Sequence, residues 1–274
     1  MASAIGAEVE TGRPKEALKT VERSLGLIEA LAEEGSGYGL SEISRKLRLN
    51  RAVAYRILLT LMHHGYVVQD PVTRRYTLGI KLFELGSTVV NRTGLRKVAL
   101  GPMGELGRLC RETINLAVLD GNEAVYLDRI ECAAPLRADL QVGRRVPSYC
   151  SALGKVLLAY LPSEERETVL STITFQRYTP RTIADPDELR KHLEDVREAG
   201  FSLDDEEYIP GVRCLGAPVF NHHGRAVAAV SIAGPSVRLV RERILALVEP
   251  LKATAEAISR NLGYLPGTSE IREV

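Results

Sequence analysis

Between Leu40 and Leu78 the apolar residues switch from a helical to an alternating period, with two breaks, and few folds accept that order. Ile43 and Leu47, four apart, predict a short helix with an inward face, capped by Ser41, while Arg45 and Lys46 stay outside. Arg48-Leu49-Asn50 interrupts it, and Asn50 is a favourable N-cap for a second helix over 51–64. There Val53, Ile57 and Leu61 share one face with Leu58 at its margin, and Gly65 supplies a left-handed stop. Two short strands, 66–69 and 75–78, then flank the turn Asp70-Pro71-Val72-Thr73. Helix, break, helix and hairpin in this order predict a winged helix-turn-helix.

The outward face of the second helix follows from its rotation of about 100° per residue: Arg51, Ala52, Tyr55, Arg56 and Leu59. A small residue such as Ala52 lets a helix approach base edges. Arginine can hydrogen-bond guanine twice, and tyrosine can take a phosphate or a thymine methyl. Arg74 and Arg75 fall on the wing, where phosphate or minor-groove contact orients a protein without reading sequence. Charge distribution agrees. From Ser41 to Lys81 there are eight Lys or Arg against two acids, whereas Arg96 to Val274 holds 23 basic and 25 acidic residues, in a chain whose net charge is only +1. The candidate DNA contacts are Arg45, Arg51, Ala52, Tyr55, Arg56, Arg74 and Arg75. Two plainer readings stand beside this one, a solvated basic surface and a protein-docking module.

Upstream, a helix over 17–34 carries Leu18, Val21, Leu25, Ile28 and Leu31 as an apolar stripe and ends at Gly35 and Gly37. Residues 1–14 read as a disordered tail and 265–274 as a second tail. Downstream, Leu78, Leu82, Leu85 and Val89 recur at four, three and four, predicting a linker helix within 80–96 that suits packing on a second subunit or on its own chain. A dimer would present two reading helices to a roughly palindromic operator.

The region 97–264 reads as α+β. Helices are predicted over 100–112, 151–160, 186–199 and 236–262, and strands over 113–119, 124–130, 136–142, 201–203, 213–220 and 226–233. Asp185-Pro186-Asp187-Glu188 is a capped helix start, and Gly200 its end. Cys110, Cys132, Cys150 and Cys214 are widely spaced, which argues for free thiols rather than a zinc ribbon or disulfide framework. No apolar run of about 18 residues and no secretory leader occur, so a cytoplasmic protein with no membrane partner is expected.

Together with the helix-turn-helix, Ser151-Ala152-Leu153-Gly154-Lys155, the stretch 200–207 leading to Gly211-Val212-Arg213-Cys214, and Ser231-Ile232-Ala233-Gly234-Pro235 resemble the IclR family of bacterial transcription regulators, in order and spacing, from about Leu18 to Leu262. The resemblance implies a winged helix-turn-helix, a linker helix and a GAF-like effector-binding domain, in dimers that often pair into tetramers. Carried onto this chain, its effector pocket comprises Ala138, Val146, Ala152, Leu153, Gly154, Asp204, Val212, Cys214 and Ser231. Helix N–H groups near Ser151 suit a carboxylate, and the Ser231 hydroxyl adds a donor. Some members have a second serine where this chain has Ala233, which favours a less polar effector; with Val146, Leu153 and Val212 as lining, an aromatic acid is the expectation. No cofactor or metal is expected.

The alternative is a hydrolase or transferase domain fused to the DNA reader. It would need Asp204-Asp205-Glu206-Glu207 to hold a metal with His222 or His223, or Cys214 to act as a nucleophile with a distant base. Acidic loop runs are usually solvated, His222-His223 before Gly224 suits a hairpin turn, and the sequence contains no nucleophile elbow, P-loop or dinucleotide fingerprint.

Overall fold

The computed structural model describes residues 17–33, 35–91, 94–138 and 141–265; the tail expected at 1–14, and all but the first residue of that expected at 265–274, lie outside them. Two compact units, Met1–Val89 and Val90–Val274, make up the chain.

In the first unit α1 (Lys19–Glu33), α2 (Leu40–Lys46) and α3 (Arg51–His63) precede the hairpin β1 (Val67–Gln69) and β2 (Tyr76–Leu78), whose antiparallel register pairs Val68 with Thr77. Its core is Leu27, Leu31, Ile43, Ile57, Leu58, Val67 and Tyr76. Asp70 Oδ1 accepts the N–H groups of Val72 and Thr73, at 2.9 and 2.6 Å, which fixes the expected turn. Ser41 does not cap α2. Gly39 holds that position, and its N–H donates to the Glu42 carboxylate at 2.8 Å.

The stripe expected in α1 divides: Leu31 packs inward and Ile28 is half-buried, while its N-terminal members face outward. Leu27, Ala30 and Leu31 are buried, whereas Leu18, Val21 and Leu25 are more than half exposed. The helix has two apolar faces on opposite sides, so periodicity could not decide which one packs. The last element associated with this unit is α4 (Lys81–Asn91), with Phe83 and Leu85 exposed; the side chain of Val89 is outside the described set.

The second unit runs α5 (Leu95–Cys110), β3 (Thr113–Asp120), β4 (Glu123–Ile130), β5 (Arg145–Pro147), a 3-10 turn (Ser148–Cys150), α6 (Ala152–Ala159), α7 (Ser163–Thr172), α8 (Pro186–Ala199), β6 (Ser202–Asp205), β7 (Val212–Phe220), β8 (Ala226–Pro235) and α9 (Arg241–Asn261). Its six strands form one sheet in the order β5-β4-β3-β8-β7-β6, every neighbouring pair antiparallel. Met103 and Leu106 of α5 and Leu247 and Leu251 of α9 cover one face; Val156 and Leu157 of α6 with Leu189 and Leu193 of α8 cover the other. A sheet sandwiched this way has two buried faces, which is why β7 and β8 read as nearly unbroken apolar runs.

Three expectations are corrected here. The described part of 136–142 is loop, and the edge position belongs instead to β5, where Val146 pairs with Ala124. The final helix starts at Arg241, since the Pro235 carbonyl accepts from Arg238 and Leu239 in a turn. The unpredicted α7 buries only Leu170, too little apolar surface to leave a period. Among the described residues no helix is long and apolar enough to cross a membrane.

Candidate functional site

Two places gather the candidate residues, one in each unit. In the first, the side chain of Asn50 accepts the Ala52 N–H at 2.8 Å and starts α3, while Ala54, Ile57 and Leu58 anchor its inner face. Arg51, Ala52, Tyr55 and Arg56 consequently stand on the outer face and are exposed, as are Arg45 on α2 and Arg74 on the hairpin.

Arg75 is placed differently. Its Nη2 donates to the Gly37 carbonyl at 2.8 Å, its Nε to the Ser36 carbonyl at 3.2 Å, and it pairs with Glu42 at 2.9 Å. The hydrogen bond from the Gly39 N–H and then Arg75 hold the Glu42 carboxyl below the usual range. Arg75 thus ties the wing to the turn before α2. Gly37 permits that closeness: it has φ +71°, and a Cβ there would collide with the Tyr76 carbonyl.

In the second unit Ala152, Leu153, Asp204, Val212, Cys214 and Ser231 line one cavity, together with Tyr126, Ser151, Tyr208 and Ile209, which sequence reasoning missed. Strand pairing brings them there: Asp204 lies opposite Cys214, and Ser231 opposite Gly216. The start of α6 presses on β7, since a Cβ at Gly216 would sit 2.8 Å from the Ala152 carbonyl oxygen. Ser151 caps α6 by accepting the Gly154 N–H at 3.3 Å, and the amides of Ala152 and Leu153 have no acceptor within the helix. The cavity measures only about 10 Å³, room for about one water, so any larger ligand must move its walls.

The other three candidates lie beside the cavity rather than on its wall. Val146 is fully buried in the core under α6; Ala138 packs with Ala152, Cys214 and Ala233; and Gly154 is where a Cβ would strike the Ser148 backbone.

Behind the wall is a buried polar group. Lys155, fully buried, contacts the Glu207 carboxylate and donates to the Leu203 carbonyl at 2.6 Å. Asp204 accepts the Glu207 N–H at 2.8 Å. Burial lifts its carboxyl to about 7, against the pull of Lys155 and with the help of Glu207. Burial also raises the Glu207 carboxyl. Asn115 Nδ2 donates to Ser231 Oγ at 3.4 Å. A lone Asn in the apolar run 114–119 was a readable sign of such a site; Tyr126 and Tyr208 left none.

The chemistry the enzyme alternative needs is not assembled. Asp205 pairs with Arg213 at 2.5 Å and with Arg181, Glu206 with Arg213 at 3.7 Å, and Glu207 with Lys155. His222 and His223 follow the far end of β7 from Cys214, roughly 20 Å or more along an extended strand. Burial drives the Cys214 thiol well above its ordinary value, the reverse of an activated nucleophile.

Comparison with known proteins bears on both places. Residues 20–71 match the IclR helix-turn-helix domain, and residues 87–260 match the family described as bacterial transcriptional regulator IclR C-terminal. The HTH-type transcriptional regulator KdgR of Escherichia coli K12 is 36% identical over 258 residues, covering 94% of this chain and 98% of that protein. Among solved structures, Thermotoga maritima IclR superposes with TM-score 0.78 at 33% identity, covering 90% of this chain and 100% of the other. An IclR homologue from Microbacterium hydrocarbonoxydans, in complex with 4-hydroxybenzoate, has TM-score 0.79 at 27% identity, covering 89% and 99%. Winged reader, connecting helix and helix-covered antiparallel sheet, matched over nearly their whole length, place this chain in the IclR family of bacterial transcriptional regulators.

Proposed function

We propose that this regulator binds a roughly palindromic DNA operator as a homodimer or pair of dimers, in the cytoplasm, and that a small carboxylic acid of aromatic type controls it from the C-terminal cavity. The observation that carries the DNA half is the exposed face of α3, where Arg51, Ala52, Tyr55 and Arg56 project from a helix anchored by three buried residues. Arg45 and Arg74 supply phosphate contacts beside it, and Arg75 supports the wing that carries Arg74.

The outward apolar residues Leu18, just before α1, Val21 and Leu25 of α1, and Phe83 and Leu85 of α4 are the surfaces a second subunit would cover. In the cavity, the free amides at the start of α6 and the Ser231 hydroxyl suit a carboxylate, and Leu153, Ile209 and Val212 suit a ring. The 4-hydroxybenzoate in the Microbacterium relative supports that choice of chemistry. Control requires the acid to favour one of two protein states, whose reading helices fit the operator unequally.

Fluorescence anisotropy with duplexes from around the protein's own coding region tests both halves. Sub-micromolar binding that weakens steeply with salt, and that changes when an aromatic acid is added, is expected. Binding indifferent to every such acid would remove the effector half and leave the DNA half standing.

A further inference from the structure

Charge in the cavity sets a condition on an acid effector. Asp204 lines the cavity and Glu207 stands behind it, each 5% exposed. Lys155 faces both and is engaged by Glu207 and the Leu203 carbonyl, so one cation is set against two carboxyl groups. One oxygen of Glu207, Oε2, is buried with no hydrogen-bond partner. The groups acting on Asp204 come from every element around it: Lys155 of α6, Glu207 and Tyr208 of the loop after β6, Cys214 of β7, Tyr126 of β4 and Cys150 of the 3-10 turn. Burial raises the Tyr126, Cys150 and Cys214 groups, which therefore stay neutral and offset nothing. An incoming carboxylate would be a third negative charge beside a single ammonium, in a site too small to keep its water.

We infer that a carboxylic acid binds in this cavity together with one proton, which settles on Asp204 and turns that side chain from a repelling carboxylate into a hydrogen-bond donor to the effector. The inference rests on the small-acid reading above and adds to it a linkage to pH. An O–H bond forms on Asp204 and the buffer acid supplies the proton. The effector's negative charge replaces that of Asp204, and the cavity's net charge does not change. Burial already places Asp204 near neutrality, so the proton is cheap to add below about pH 7 and progressively dearer above it. A carboxylic acid kept neutral to donate a hydrogen bond is an established catalytic device, and here the same chemistry serves recognition.

Calorimetry on the full chain tests this, with acetate, benzoate and 4-hydroxybenzoate as probes, from about pH 6 to about pH 9, in phosphate and in Tris. Above about pH 7 the affinity of the acids that bind should fall about tenfold per pH unit, and the difference in heat between the buffers should report uptake of about one proton. Asp204→Asn should make the affinity nearly flat with pH. Should that variant not fold, the buffer comparison on the unaltered chain decides by itself. Affinity independent of pH with no buffer effect overturns the proton linkage, and linkage that survives in Asp204→Asn overturns its assignment to this residue. If none of the three acids binds even at about pH 6, the small-acid reading fails, which is a distinguishable result.

Discussion

The outer face of α3 and the C-terminal cavity use polar side chains in opposite ways. On α3 the arginines are exposed and their hydrogen-bonding groups remain available to a partner. Around the cavity the carboxylates and the lysine are buried and largely committed to one another and to nearby backbone, and the buried Asn115 bonds to Ser231. Surface charge costs little to maintain and gives affinity that salt can screen. Buried charge is expensive, so it persists only where neighbours satisfy it, and it responds to whatever else enters. On the function proposed above, the first is a contact surface and the second a sensor.

The sharpest way to break that contrast is to remove the buried cation. Lys155→Met should cost about 3–5 kcal/mol, because Glu207 and Asp204 lose their only ammonium. Urea unfolding of the C-terminal unit reads this, and Lys155→Met combined with Glu207→Gln should recover part of the loss. A cost below about 1 kcal/mol, the scale of a surface pair, would mean that the pair is effectively solvated.

Next in size, Arg56→Ala should weaken operator binding by about tenfold to a hundredfold and relax preference at one base position, while leaving the melting temperature unchanged. A competition experiment with mutated duplexes checks it, and a uniform loss across sequences would recast Arg56 as a phosphate contact. The two wing arginines divide more finely. Arg74→Ala should lower the slope of log affinity against log salt by about one, whereas Arg75→Ala should lower the melting temperature of the first unit, since its guanidinium holds the Gly37 and Ser36 carbonyls. If Arg75→Ala lowered the salt slope and left stability alone, Arg75 would belong with the DNA contacts.

The smallest effect is in the cavity. Ser231→Ala should cost about 1 kcal/mol of effector affinity by calorimetry, with operator affinity in the absence of effector unaltered.

The same contrast explains what could be read before the structure. The reading face is local: Asn50 caps, Ile57 and Leu58 pack, and Arg51, Tyr55 and Arg56 follow from helical spacing alone. The helix from Pro186 to Ala199, with its Asp185 cap and Gly200 stop, was legible for the same reason. The cavity and its surroundings join distant residues through antiparallel register, as where Asn115 meets Ser231 116 positions on, and no period records that. The family resemblance supplied Ala152, Leu153, Asp204, Val212, Cys214 and Ser231, which the sheet brings together, but it also gave Val146 and Gly154, whose places are in packing. Arg75 looked like a wing contact because sequence shows its charge and not the carbonyls of Ser36 and Gly37 that take it up. The stripe of α1 was visible while its direction was not, because two apolar faces compete on one helix.

Salt-dependent anisotropy of the unaltered chain against the Arg51→Ala and Arg56→Ala double variant, on duplexes flanking its own coding region, addresses the central claim most directly. The reading by α3 predicts tight binding of the unaltered chain that falls steeply as salt rises, and a large loss in a double variant that still folds. Equal binding by both proteins, or no salt-sensitive binding of the unaltered chain to any duplex, would contradict it.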